Sequence, residues 1–265
     1  MSDIFQFSPG TTPVLISIPH AGTRIPPAIA ARMTREALAL PDTDWHVEKL
    51  YDFAAELGAG LIAADYSRYV VDLNRDPSGK PLYPGADNSE FVPLATFALQ
   101  PIYKPGEEPD HREITDRRTA YWQPYHDRLT AELSRLKAEF GIAVLWDGHS
   151  ILSHVPRFFE GRLPDLNLGS AKGASASPDL VDQAMGILGK AEGFSSILNG
   201  RFTGGYITRH YGRPTENIHA LQLEMAEAAY LDESCPSAYD TAHAAKLKNL
   251  LRRTIEAVTT WAKAQ

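Results

Sequence analysis

Two short apolar runs decide the fold expected of this chain: Pro13-Val-Leu-Ile-Ser-Ile-Pro-His20 and Ile142-Ala-Val-Leu-Trp-Asp-Gly-His149. Each run stops at a histidine set among turn residues, which is typical of a buried strand in a parallel sheet. In open α/β sheets, functional side chains collect just beyond the carboxyl ends of the strands. Neutral imidazole is the commonest metal ligand, so two histidines delivered in this way predict a metal site. The alternative for either histidine alone is a strand cap or a loop hydrogen bond.

Strand and helix patterns alternate along the rest of the chain. Strands are predicted at 13–18, 61–64, 69–73, 142–146, 206–208 and 218–225, and helices at 44–58, 111–139, 178–190 and 237–263. The second helix is expected to bend or break at Pro124. Long loops are predicted at 76–110, which holds seven prolines, and at 161–177, which is rich in Gly, Ser and Pro. This alternation predicts one α/β domain over 1–265, with a mixed, mostly parallel sheet flanked by helices.

Composition limits the classes of function that this chain can have. Its 265 residues, 43% of them hydrophobic, suffice for a large core, and the single cysteine, Cys235, cannot form an internal disulfide. The net charge of −7 and the absence of a basic run argue against a nucleic-acid surface. No signal-peptide pattern or bilayer-length apolar run is present in the sequence. We therefore expect a cytoplasmic protein that acts on a small molecule, without nucleic-acid or membrane partners; its oligomeric state is left open.

The third ligand of a metal site should be acidic or another histidine, because catalytic zinc sites use three protein ligands and leave one position open. The candidates at the start of the first predicted helix are Asp42, Asp44 and His46. The alternative role for Asp44 is to cap that helix. Asp147 stands two residues before His149 and can orient that ring, or it can bond nearby backbone N–H groups. Gly148 is expected to end the strand between them.

Several cationic and amide side chains lie close to these segments. The candidates for holding an anionic ligand are Asn74, Arg75, Arg209 and Arg213. A guanidinium forks onto two carboxylate oxygens and an amide adds a further hydrogen bond. The alternative for the Asp72-Leu-Asn-Arg75 stretch is a structural salt bridge to Asp72 or Asp76. The stretch at 204–213 holds three glycines, which permit close approach of a ligand, but contains no phosphate-loop or dinucleotide motif.

Glu224 lies inside the apolar run that is predicted to form the strand 218–225. A glutamate on a buried strand needs a compensating partner or a function. It is either paired with an arginine or a general base that takes a proton from water at a metal site.

Taken together and in order, six motifs resemble the N-formylglutamate amidohydrolase family. They are Ser17-Ile-Pro-His-Ala-Gly22, Thr43-Asp-Trp-His-Val-Glu-Lys-Leu-Tyr51, Val71-Asp-Leu-Asn-Arg75, Trp146-Asp-Gly-His-Ser150, Gly204-Gly-Tyr-Ile-Thr-Arg-His-Tyr-Gly212 and His219-Ala-Leu-Gln-Leu-Glu224. The resemblance runs from about residue 12 to residue 235. That family is related to the zinc carboxypeptidases and aspartoacylases, which implies a zinc-carboxypeptidase-like fold. It also implies a metal-dependent amide hydrolase that converts N-formyl-L-glutamate and water to formate and L-glutamate in histidine breakdown.

The resemblance also implies a division of roles. The implied metal ligands, for Zn²⁺ or another divalent cation, are His20, Asp44 and His149. Thr23 stands where the carboxypeptidase-type motif has a glutamate, three residues after its histidine, so Asp44 is the best match for the acidic ligand.

The remaining assignments concern proton transfer and substrate binding. Glu224 is assigned as the general base and Arg68 to the oxyanion. Asn74 and Arg75, with Arg209 or Arg213, are assigned to the two carboxylates of the substrate. One alternative is a related hydrolase acting on another N-acyl amino acid or on a C-terminal amino acid. A second is a protein that binds an acidic ligand without hydrolysing it.

Overall fold

A seven-stranded mixed sheet forms the centre of the computed structural model, which describes residues 4–82, 85 and 87–265. Its strands are β1 (Phe5–Ser8), β2 (Val14–Ile18), β3 (Gly60–Ala64), β4 (Ala143–Ile151), β5 (Leu166–Gly169), β6 (Ser196–Leu198) and β7 (Ile218–Ala226). They lie in the order β1-β3-β2-β4-β7-β5-β6. The four central strands β3, β2, β4 and β7 are parallel, whereas β1 and β5 pair with them antiparallel. The predicted fold class, an α/β domain with a mostly parallel sheet, is confirmed.

Helices cover both faces of the sheet. They are α1 (Pro27–Ala30), α2 (Arg35–Leu38), α3 (Val47–Leu50), α4 (His111–Arg117), α5 (Gln123–Phe140), α6 (Pro178–Leu188), α7 (Tyr206–Tyr211) and α8 (Thr241–Lys263). Side chains alternate across a strand, so Val14, Ile16 and Ile18 of β2 pack with α3, α6 and α8, while Leu15 packs with α5 and α7. Among the described residues, no helix has both the length and the apolar character needed to cross a bilayer.

The carboxyl ends of β2, β4 and β7 lie side by side and bring the sequence-predicted residues together. His20 follows the end of β2 by two residues. His149 on β4 and Glu224 on β7 are directly paired across the parallel ladder. Two residues earlier on β4 and β7, Asp147 is paired with Gln222 and, on its other side, with Ser17 of β2. The candidate site therefore lies at the edge of the sheet where α/β proteins bind their ligands.

Strand β4 does not end at Gly148, which corrects one expectation. The strand stays paired with β7 as far as Ile151. A Cβ atom on Gly148 would lie 2.9 Å from the ring of Tyr51, so the glycine makes room for that ring within a continuous strand. As a result, Asp147 and His149 project from the same face of β4.

Two other predicted strands are absent from the described structure. Residues 69–73 are buried but irregular, because their backbone groups bond to turns and loops: Asp72 N donates to Phe91 O, and Val70 N to Ser67 O. Residues 206–208 begin helix α7, in which Ile207, Thr208 and Tyr211 are buried. A short apolar run does not distinguish a strand from a buried helical turn.

Several helix boundaries and one loop also differ from the predictions. The expected helix at 44–58 is divided at Tyr51 into α3 and the 3₁₀ turn Asp52–Leu57, and it ends at the left-handed Gly58 as predicted. The helix at 111–139 is interrupted by a wider turn at Arg118–Trp122, just before Pro124, whose ring lacks the N–H that a regular turn needs. Strand β5 lies inside the predicted loop 161–177. Helix α8 begins at Thr241 instead of residue 237, after its cap Asp240.

The proline-rich loop predicted at 76–110 lies between β3 and α4. The described residues of 65–110 form turns and isolated bridges, without a helix or a strand. Pro84 lies outside the described residues. Arg75 and Leu82, at the start of this loop, reach the candidate site.

Candidate active site

Three buried side chains meet at the carboxyl end of the sheet. One ligand atom from each of His20, Asp44 and His149 lies within 4.8 Å of the others. Asp44 Oδ2 lies 3.0 Å from His149 Nδ1 and 3.7 Å from His20 Nδ1. Two imidazole nitrogens and one carboxylate oxygen that converge in this way form a group that could hold a metal ion.

Each imidazole ring has a carboxylate on its other nitrogen. His20 Nε2 lies 2.7 Å from Asp72 Oδ1, and His149 Nε2 lies 3.0 Å from Asp147 Oδ2. A carboxylate acceptor favours a proton on Nε2, so Nδ1 is the nitrogen of each ring that a cation would bind. Burial alone would raise the pKa of Asp72, but Arg75 and His20 hold that pKa well below its ordinary value. Asp72 therefore stays ionised behind His20.

Asp44 is held by groups from three separate segments. Its backbone N–H donates to the carbonyl of His20, and its Oδ2 accepts from the backbone N–H of Ser150 at 3.1 Å. Its Oδ1 accepts from Arg68 Nη2 at 3.0 Å. Burial acts to raise the pKa of Asp44, but Arg68 and the two histidines outweigh it and hold that pKa below its ordinary value. The capping role is wrong: helix α3 follows the left-handed His46 and has no side-chain cap.

The other two candidates from that segment face away from the group. Asp42 Oδ2 accepts hydrogen bonds from the hydroxyl of Tyr69 at 2.6 Å and from the backbone N–H of Phe97 at 2.8 Å. His46 Nε2 lies 3.1 Å from the carbonyl of Pro236. Both side chains connect loops near the site.

Arg68 brings a permanent positive charge to the ligand group. Its Nη2 contacts both Asp44 and His20 Nδ1, and its guanidinium lies over the ring of Phe97, 5.0 Å from the centroid. Only 7% of its side chain is exposed. A buried cation beside the point where ligand atoms converge is suited to stabilise negative charge on a reacting oxygen.

Glu224 is the carboxyl group best placed for proton transfer. Burial raises its pKa to about 7, with Asp44 and Asp147 acting in the same direction against His149 and Arg68. In the described part of the chain, its carboxylate accepts from Gln222 and forms no ion pair with an arginine. A carboxyl with a pKa near neutrality can accept and donate a proton at little cost.

Gln222 is a site residue that the sequence reasoning missed. Its Nε2 donates to Glu224 Oε2 at 3.0 Å, and its Oε1 accepts from the backbone N–H of Gly205 at 2.6 Å. The second bond fixes the orientation of the amide, so the first must point its donor at the carboxylate. The available signal was its position two residues before Glu224, on the same face of a buried strand.

Asn74 and Arg75 line the small cavity beside the ligand group. Asn74 Oδ1 accepts from Ile207 N at 2.8 Å, and its Nδ2 lies 2.9 Å from His149 Nε2. The guanidinium of Arg75 donates to the carbonyl and hydroxyl oxygens of Ser89, and it lies 3.8 Å from Asp72. Asn74 thus contacts His149 and the start of α7, and the salt bridge considered for Arg75 is present.

Arg209 and Arg213, the other two arginines predicted to bind an anion, lie outside the lining of the small cavity. Arg209 borders a neighbouring cavity of about 680 Å³, and it donates to the carbonyl of Leu82, which lines both cavities. Arg213 is 46% exposed, with its Nε 3.3 Å from Glu216. It is not among the described residues that line the small cavity.

The small cavity has a volume of about 60 Å³ and two chemically different sides. Its polar lining is His20, Arg68, Asn74, Arg75, His149, Ser150, Gln222 and Glu224. Its apolar lining is Leu82, Phe97, Ile151, Phe158 and Phe202, with Gly205 completing the wall. Two histidines of the candidate metal group, the Glu224 carboxyl and two arginines therefore line one cavity.

Comparison with known proteins identifies the family. Residues 12–231 match the sequence pattern described as N-formylglutamate amidohydrolase. The chain belongs to the N-formylglutamate amidohydrolase family. The resemblance drawn from its six motifs is thus confirmed.

Two N-formylglutamate deformylases are similar to this chain over nearly their full length. The N-formylglutamate deformylase of Pseudomonas aeruginosa is 49% identical over 263 residues, covering 99% of this chain and 98% of that protein. The N-formylglutamate deformylase of Pseudomonas putida is 46% identical over 261 residues, covering 98% and 97%. The crystal structure of N-formylglutamate amidohydrolase from Ralstonia eutropha JMP134 has a TM-score of 0.80 over 98% of this chain and 97% of that one. Its sequence identity is 24%, so that likeness concerns the fold alone.

Proposed function

We propose that this protein hydrolyses N-formyl-L-glutamate to formate and L-glutamate, and that it does so with a divalent metal, zinc in the first place. The observation that carries the proposal is the buried group of His20, Asp44 and His149, whose two histidines line one cavity with Glu224, Arg68 and Arg75. The near-half identity with two N-formylglutamate deformylases supports the choice of substrate.

The donor set fits a zinc-like cation. Two imidazole nitrogens and a carboxylate are a common ligand set for catalytic zinc, and a carboxylate behind each ring is the usual support for such ligands. Oxygen-seeking cations such as Mg²⁺ would favour carboxylate and carbonyl ligands instead. A cation held by His20, Asp44 and His149 would polarise the formyl oxygen and make a nearby water more acidic.

Separate residues of the chain then carry out proton transfer and stabilise the developing negative charge. Glu224 takes a proton from the attacking water, whose oxygen bonds to the formyl carbon. As the carbon–nitrogen bond breaks, Glu224 returns the proton to the leaving nitrogen of glutamate. Arg68 faces the oxyanion that forms on the former carbonyl oxygen. Gln222 holds one oxygen of Glu224, which leaves the other for the water.

Cationic residues around the cavity bind the two substrate carboxylates in this proposal. Arg75 lines the cavity itself, and Arg209 lines the adjoining one beyond Leu82. Their positions favour them over Arg213, which pairs with Glu216 at the surface. Asn74 lines the same cavity beside His149, where its amide can add a hydrogen bond to a substrate carboxylate. A place in histidine degradation and a cytoplasmic location remain part of the proposal.

The test is formate release from a panel of N-acyl amino acids. We expect N-formyl-L-glutamate to be the best substrate, and N-formyl-L-glutamine to be worse by roughly ten- to a hundredfold, because it loses a charge-assisted pair. Release of another acyl group or of a C-terminal amino acid in preference would favour a related hydrolase. Binding without turnover of any panel member, in protein shown to contain metal, would favour a non-catalytic binder.

A further inference from the structure

Three phenylalanines from separate segments form the apolar side of the small cavity. Phe97, Phe158 and Phe202 line it together, and they are apolar, whereas the histidines, arginines and Glu224 that line the same cavity are polar. The proposed hydrolysis uses none of them. We call this set the phenylalanine wall.

The wall is fixed in place next to the ligand group. The backbone N–H of Phe97 donates to Asp42, which also accepts from Tyr69, so a carboxylate with two donors holds the segment. The Phe97 ring lies against the guanidinium of Arg68 on one side. Phe158 meets it edge-on, with ring centroids 5.0 Å apart and planes at 72°. Among the wall residues, Phe97 is therefore the one that contacts a partner of His20 and Asp44.

The other two rings are also held. The guanidinium of Arg201 lies 5.9 Å from the ring of Phe158 and 5.5 Å from that of Phe202, and its Nε donates to the carbonyl of Phe158. Both rings pack against a buried apolar cluster that includes Ile151 and Val155. These contacts hold the rings in position, so the wall resists an enlarged occupant.

The cavity is small on the scale of acyl groups. Its volume of about 60 Å³ lies far below the roughly 300–1,000 Å³ of pockets that hold drug-sized ligands. The reacting carbonyl must lie within this space, beside Glu224 and the ligand group. A formyl carbon carries only a hydrogen, whereas the next acyl group, acetyl, carries a methyl.

We propose that the phenylalanine wall, and Phe97 above all, determines the acyl group by excluding any group larger than formyl. This inference rests on the proposed deformylase function. It assigns the wall a role in specificity, because N-formyl-L-glutamate offers few apolar atoms to bind and the wall offers only apolar surface. A pocket that differs by one methyl or methylene discriminates by about 10–200-fold, which sets the size of the expected effect.

The test compares N-formyl-L-glutamate with N-acetyl-L-glutamate in the parent, Phe97→Leu and Phe158→Leu. The measurements are kcat/KM for release of formate and of acetate, and the inhibition constant of N-acetyl-L-glutamate against formate release. Formyl and acetyl amides differ in intrinsic reactivity, but this difference cancels when each variant's ratio is divided by the parent's. Phe159→Leu is the matched control: Phe159 is half-buried in the same cluster and does not line the cavity.

We expect Phe97→Leu to lower the formyl-to-acetyl ratio at least tenfold and to tighten inhibition by N-acetyl-L-glutamate by a similar factor. Phe158→Leu should shift both in the same direction, and Phe159→Leu should leave them unchanged. If the parent releases formate and both cavity variants, folded by thermal unfolding, keep its ratio and inhibition constant within twofold, the inference is overturned. If Phe97→Leu does not fold, Phe158→Leu decides alone. A parent that releases no formate at all contradicts the proposed function instead.

Discussion

Replacing Glu224 by glutamine should give a protein that is nearly inactive and yet more stable. Glutamine has the same shape, and its amide oxygen can still accept the 3.0 Å hydrogen bond from Gln222 Nε2. What it loses is the ability to take a proton from water. A general base contributes typically ~10²–10⁴-fold, which corresponds to about 3–5 kcal/mol in the activation barrier. Because Glu224 is assigned as a base and not as a ligand, metal content should not change.

The stability gain follows from the raised pKa of Glu224. Burial moves that pKa from 4.5 to about 7, so the ionised form is disfavoured in the folded protein. For an acid whose folded pKa exceeds its unfolded pKa, the penalty is absent below the unfolded value, grows between the two and is complete above the folded value. At ~1.4 kcal/mol for each pKa unit, the full penalty is about 3 kcal/mol. Glutamine carries no such penalty, so the metal-stripped variant should exceed the metal-stripped parent by up to this amount at pH 8, and match it near pH 4.5.

Three measurements decide the outcome: formate release, elemental analysis, and urea unfolding of chelator-treated protein at pH 5 and pH 8. The control is Glu139→Gln, which changes a half-exposed glutamate on α5 and should alter none of them. Turnover near the parent's would remove Glu224 from the mechanism. A loss of metal would make it a ligand. A variant that is no more stable than the parent at pH 8 would refute the buried, hard-to-ionise carboxyl on which its role as a base depends.

Three further outcomes follow from individual contacts. His149→Ala should lose most of its metal on elemental analysis of protein purified without added metal, because it removes one of three ligands; parent-level content would misplace the site. Gln222→Glu replaces a hydrogen-bond donor to Glu224 with a second carboxylate, which should raise the pKa of Glu224. The acidic limb of the pH profile of kcat/KM should therefore move to higher pH, and an unmoved limb would count against that contact. Burial lowers the pKa of His126 to about 3, so the folded protein keeps this ring neutral, and stability should decline as pH falls below the ordinary value of 6.5. Between pH 7.5 and pH 5 the expected loss from this group is about 2 kcal/mol; urea unfolding of His126→Gln should show a correspondingly smaller decline, and an equal one would contradict the assignment.

The parts of the fold that the sequence predicted are those whose signal is local. Strands β2, β4 and β7 are continuous apolar runs, and α8 repeats its buried positions over many turns, so their identity needs no knowledge of the rest of the chain. The segments 69–73 and 206–208 are apolar for a different reason: both are buried against the central sheet and the loops around it. Strands β5 and β6 are too short to show a period, and β5 becomes a strand because the edge of β7 is available to pair with it.

The site shows the same division between local and distant information. Histidines at strand ends indicated where ligands would converge, because the carboxyl ends of neighbouring parallel strands lie together. The partner of His20 was not predictable in this way, since Asp72 lies 52 residues further along the chain in an irregular segment. The assignment of Asn74 to substrate binding stays a prediction, whereas its contacts with His149 and the start of α7 could not be read from its sequence neighbours.

Asp44 and Glu224 show why the roles of two acids in one site require the structure. Both are carboxyl groups with less than a tenth of their side chains exposed, and burial acts to raise the pKa of each. Asp44 touches Arg68 and faces both imidazoles, so its pKa is lowered and it stays ionised, as its proposed role of metal ligand requires. Glu224 receives one neutral hydrogen bond and faces the negative charges of Asp44 and Asp147, so its pKa rises to about 7, where a base can return the proton that it takes. The proposed roles of Asp44 and Glu224 thus differ because Asp44 is the carboxyl group that contacts Arg68. That contact joins residues 24 positions apart in the chain, so no local sequence pattern shows it.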